Sequence, residues 1–79
     1  MTGGEFVVDR RKLADLDEAR DYDAASSYNY LNAELGRLRS ALDCGAIVRV
    51  ELNSETRIFQ SVAEFVTWAR RRYPRAKHD

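Results

Sequence analysis

An α+β domain of the helix–β-hairpin–helix type is what this 79-residue sequence predicts, and three observations predict it. Tyr28, Leu31, Leu35, Leu38 and Leu42 recur at the 3–4 spacing that puts side chains on one stripe of a helix. Residues 46–52 and 57–60 are rich in β-branched and aromatic side chains and are separated by the polar run Asn53-Ser54-Glu55-Thr56. Val62, Phe65, Val66, Ala69 and Tyr73 then return to helical spacing. A chain this short has room for one core and no second domain.

The first eight residues read as a lead. Phe6, Val7 and Val8 suit a brief extended piece that docks on the body or on a second copy. Asp9 is placed to cap a helical stretch from Arg10 to about Asp21, with Leu13, Leu16 and Ala19 as a thin apolar stripe. Asp15, Asp17, Glu18, Asp21 and Asp23 make it acidic, and a short or frayed helix is expected. Residues 1–25 are thus read as an N-terminal extension, 26–74 as the core and 75–79 as a basic mobile tail.

The main helix is expected to take Ser26 or Ser27 as its N-cap and to stop at Asp43-Cys44-Gly45. Gly45 is suited to the left-handed conformation that ends helices, and Cys44 to plugging the helix end as a small apolar group. In the hairpin, Val48, Val50 and Leu52 alternate with Ile47, Arg49 and Glu51. A four-residue loop sets Val50 opposite Phe59, whereas a two-residue loop at Asn53-Ser54 sets Val48 opposite Phe59. Phe59 is core in both. Ser61-Val-Ala-Glu64 has the form of a capping box for the last helix, which Pro74 ends.

The chain carries 13 basic and 13 acidic residues, so its formal net charge is zero. The charge is unevenly placed. Residues 1–27 hold four basic and seven acidic side chains, while residues 70–79 hold five basic and one acidic. Arg70, Arg71, Arg72, Arg75 and Lys77, beside Trp68 and Tyr73, form the most informative chemical feature. Such a run can neutralise phosphates without reading a base sequence, or meet an acidic protein surface. It can also be a solvated helix C-terminus, where cations are favoured. Trp68 either completes the core edge or anchors a partner.

Enzymatic chemistry has little to build on. Cys44 and His78 are the sole cysteine and histidine and lie far apart in sequence, which argues against a nucleophile–base pair, a metal site or a disulfide. A lone thiol fits a reducing compartment. Asp15, Asp17, Asp21 and Asp23 read as a solvated face rather than as paired catalytic carboxylates. No apolar run approaches a membrane span. The expectation is a soluble binding protein with no cofactor and no enzymatic activity.

The Leu31-x3-Leu35-x2-Leu38-x3-Leu42 stripe, the Gly45-Ala-Ile-Val-Arg49 hairpin entry and Ser61-Val-Ala-Glu-Phe65 together give a pattern covering about residues 26–73. The pattern resembles the small head-completion (head–tail joining) proteins of tailed phages, the family typified by the W protein of phage lambda. That resemblance implies two helices packed on one hairpin. It also implies a structural role in the virion neck, assembled from the host cytoplasm. Copies would join the portal as a ring and offer a docking surface to the next neck or tail component. The basic C-terminal tail would then suit a DNA-lined channel or an acidic portal surface. Two other readings of the same residues stand beside it: a small phage-encoded regulatory or inhibitory protein that binds a host factor, and a nucleic-acid-binding accessory protein. The stretch of about 25 residues before the core lies outside the family pattern.

Overall fold

A computed structural model describes residues 4–22 and 24–77. The chain runs β1 (Glu5–Val8), α1 (Arg10–Tyr22), α2 (Ala25–Asp43), β2 (Ile47–Glu51), β3 (Thr56–Phe59) and α3 (Val62–Arg72). The α+β class and the helix–hairpin–helix unit are as expected, in α2–β2–β3–α3. The sheet is larger than expected. β1 pairs in parallel with β2 and gives a three-stranded sheet of order β1-β2-β3.

The N-terminal segment is therefore part of the core, not an extension of it. Phe6 sits opposite Val48 and Val8 opposite Val50, so Val8 points to the same side as the hairpin's valines. A two-stranded hairpin is marginal by itself, and the third strand supplies the missing pairing. α1 is a regular 13-residue helix over the expected span, the short helix of the two alternatives and not the frayed one. Asp9 caps it as expected, accepting the Lys12 N–H on Oδ1 at 2.8 Å. Leu13, Leu16 and Ala19 are buried in one cluster with Val8, the four α2 leucines, Val48, Val50, Phe59 and Phe65. Three apolar side chains suffice because polar ones tie the helix down at its flanks. Lys12 pairs with Glu34 of α2 at 3.0 Å, and Asp17 with Arg72 of α3 at 2.7 Å.

α2 buries Leu31, Leu35, Leu38 and Leu42, while Tyr28 at the top of that stripe stays 37% exposed. The helix starts earlier than Ser26: Ala24 is the N-cap and no side chain caps it. Its end is as expected. Gly45 has φ 94°, its N–H donates to Leu42 O, and the Ala46 N–H donates to Ala41 O, the paired bonds of a Schellman motif. Cys44 does not plug the end. It is the C-cap residue and is exposed.

The hairpin adopts the two-residue loop, with Val48 opposite Phe59 and Val50 opposite Arg57. The Leu52 N–H donates to Glu55 O at 2.8 Å across Asn53-Ser54. Val8, Val48, Val50 and Phe59 lie under the helices. The opposite face of the sheet is open: Val7, Ile47 and Ile58 are exposed there around Arg49, which pairs with Glu5 at 3.4 Å and Glu51 at 3.3 Å. Ser61 is the N-cap of α3, but its side chain makes no cap bond, so the capping box does not close.

Aromatic rings fill the hairpin–α3 side of the core. Phe59 meets Phe65 edge-on at 5.7 Å, and Trp68 stands 5.4 Å from Phe59 and 6.0 Å from Tyr73. Trp68 is only 9% exposed, so it completes the core and is not a free anchor. The chain beyond Pro74 is also docked rather than loose through residue 77. Ala76 is buried, and the Lys77 N–H donates to Asn32 Oδ1 of α2 at 2.8 Å. His78 and Asp79 lie outside the described residues, as does Asp23 of the acidic cluster.

Candidate docking surface around the C-terminal helix

The sequence presents Arg70, Arg71, Arg72, Arg75 and Lys77 as one basic run, and the fold sends its members in different directions. Arg72 turns inward. Its Nε and Nη2 donate to Asp17 Oδ1 and Oδ2 at 3.0 and 2.7 Å. This hydrogen bond, followed by the carboxylate charge, raises the Arg72 pKa against the cost of partial burial. Its plane also lies 5.9 Å from the Trp68 ring. The Tyr73 hydroxyl donates to the same Asp17 carboxylate at 2.9 Å. Burial, then the Asp17 charge, pushes the Tyr73 phenol well above its ordinary range. Arg20 of α1 adds a bond from Nη1 to the Arg72 carbonyl at 3.2 Å. Arg72 is thus a strut that fixes the end of α3 on α1. Asp17, expected to be solvated, is the other half of that strut.

Arg70 and Arg71 are exposed on the outer side of α3. Arg71 borders an open groove between α3 and β3, together with Arg57, Ile58, Phe59, Thr67 and Trp68. Arg57 lies over the Phe59 ring at 5.3 Å. Neither Arg57 nor Arg71 meets a carboxylate at ion-pair distance among the described residues. Lys77 lies on the other flank of α3, beside Arg39 and Asn32 at the α2–α3 cleft. Arg75 borders a small cleft with Arg20, Tyr28 and Tyr73. Arg71 and Lys77 therefore face opposite sides of the helix. Arg57 was not legible as a site residue in the sequence, because it reaches the groove from β3, on a different element from the arginine run. Its one local signal is its place two residues before Phe59, on the same side of β3.

Two guanidinium groups at one groove offer planar donor forks suited to carboxylates and phosphates. Among the described residues, no three His, Cys, Asp or Glu side chains group as a metal site, and no helix is long and apolar enough to cross a membrane. The chain matches no protein-family model, no curated protein and no solved structure.

Proposed function

We propose that the chain is a virion structural subunit of the head–tail connector kind, which joins a portal and offers a docking surface to the next neck or tail component. One observation carries the reading. The end of α3 is a rigid corner with outward cations: Arg72 and Tyr73 are locked to Asp17 while Arg70 and Arg71 are left exposed. A fixed helix end loses little backbone freedom on docking, and its exposed cations favour recognition of an acidic surface. The resemblance adds support, since its three motifs fall on the buried stripe of α2, the entry to β2 and the start of α3.

The test is direct association with the portal of the particle whose genome encodes the chain. The free chain is expected to sediment as a monomer and to form a ring on purified portal. Arg70→Glu with Arg71→Glu is expected to abolish ring formation without changing the thermal melt. A wild-type chain that fails to bind the portal, and is missing from the finished particle, overturns the proposal.

A further inference from the structure

β3 is an edge strand, and its outer edge is bare. In the antiparallel ladder, the Leu52–Glu55 bond makes that pair a hydrogen-bonded one, so the pairs Val50–Arg57 and Val48–Phe59 are hydrogen-bonded in turn. Thr56 and Ile58 therefore aim their N–H and C=O groups away from β2. Among the described residues, nothing pairs with them. Edges of this kind are templates for an added strand, and the exposed charge of Arg57 on this one limits which segment can add.

The groove of about 510 Å³ runs beside this same edge, between β3 and α3. Phe59 and Trp68 lie along its wall, and Ile58, 56% exposed, stands at the strand. Arg57 and Arg71 put two cations on the groove against the single carboxylate of Glu64. A free strand edge flanked by a helix groove is a recurring geometry for capturing an extended peptide: backbone bonds supply affinity, and pockets for alternate side chains supply selectivity. A nucleic-acid backbone could use the arginines but has nothing to match the ladder of Thr56 and Ile58.

We infer that the β3 edge and its groove take an extended acidic segment of a partner protein, which adds as a fourth strand and sets its carboxylates on Arg57 and Arg71. The inference rests on the reading of the chain as a docking subunit and narrows the partner to a strand-forming acidic segment.

The experiment titrates the isotope-labelled full chain with a short peptide alternating threonine and glutamate. Two controls are used: the same peptide with lysine for glutamate, and the glutamate peptide N-methylated at alternate residues in either register. Amide shifts are expected in β3 and α3, with the lysine peptide binding about tenfold weaker or worse. N-methylation in one register is expected to remove binding, because it removes the ladder donors. Arg57→Glu with Arg71→Glu is expected to reverse the charge preference, and both positions are exposed. Equal binding of the glutamate and lysine peptides, or full binding of both N-methylated peptides, overturns the inference. So does broadening at β3 that grows with protein concentration alone, which would give the edge to a second copy. A chain that joins the portal yet binds no acidic peptide refutes this inference and leaves the connector reading standing. A chain that binds the peptide but never meets a portal does the reverse.

Discussion

The Tyr73 hydroxyl donates to Asp17 Oδ1 at 2.9 Å, joining the end of α3 to the middle of α1. Tyr73 is fully buried, and this bond gives its hydroxyl proton an acceptor. The same carboxylate holds Arg72 through both oxygens. Asp17→Ala is expected to cost about 1–3 kcal/mol, because a buried hydroxyl loses its acceptor. In a domain of this size, that is a fall of roughly 4–8 °C in Tm per kcal/mol. Arg72→Ala should cost less, since the pair is about a third exposed and screened by solvent. Thermal melts decide it. A larger loss for Arg72→Ala would shift the weight from the tyrosine to the ion pair.

Alkaline pH gives an independent reading of the same contact. The folded chain holds the Tyr73 proton above the ordinary 10.0, chiefly through burial and then through Asp17. Above that ordinary value the unfolded chain sheds this proton while the folded chain keeps it. The unfolded state then binds fewer protons, and stability falls as pH rises. Tyr73's contribution should therefore be constant below about pH 10 and decline above it. Tyr73→Phe should remove part of that decline. Urea midpoints measured across alkaline pH are the check, and an unchanged slope in Tyr73→Phe would show that Tyr73 is not its source.

Two glycines should respond in opposite directions. Gly45 has φ 94°, where a Cβ is strained, so Gly45→Ala is expected to destabilise by about 1–2 kcal/mol. Gly36 lies inside α2, and a Cβ there meets nothing within 4 Å. Gly36→Ala is expected to stabilise by roughly 0.5–1 kcal/mol. Chemical denaturation of the two variants side by side checks both signs.

The core assignment predicts larger losses. Leu16, Leu38 and Phe59 are each nearly inaccessible. Replacing any of them with alanine should cost about 2–5 kcal/mol. Leu16→Ala is the informative case, because it asks whether α1 belongs to the core. Loss of cooperative melting in that variant is the expected result, and a melt unchanged from the parent would detach α1 from the domain.

α2, the hairpin and α3 were legible because each buries one continuous face, and burial on one face writes its period into the sequence. β1 carries no such record. It is four residues long, only alternate residues point inward, and its parallel partner lies some forty residues away. α1 looked weak because much of its attachment is polar. Lys12 and Asp17 hold it through partners on α2 and α3, which local periodicity cannot show. The choice between two hairpin registers was open because both bury Phe59, and the turn settles it. At the candidate docking surface the arginine run was visible, but its division was not. Nothing local marks Arg72 as the strut, Arg71 as the groove residue or Arg57 as its companion. Trp68 was ambiguous from sequence because it sits beside the α3 stripe, and the ring of Phe59 decides its burial.

Amide hydrogen exchange along β3 tests the central claim most directly: one core formed by all six elements, with the outer edge of β3 left free for a partner. Arg57 and Phe59, whose N–H groups face β2, should exchange slowly, while Thr56 and Ile58 exchange fast in the free chain and slow on adding the acidic peptide. Slow exchange at Ile58 in the free chain, or fast exchange at both Arg57 and Phe59, would contradict it.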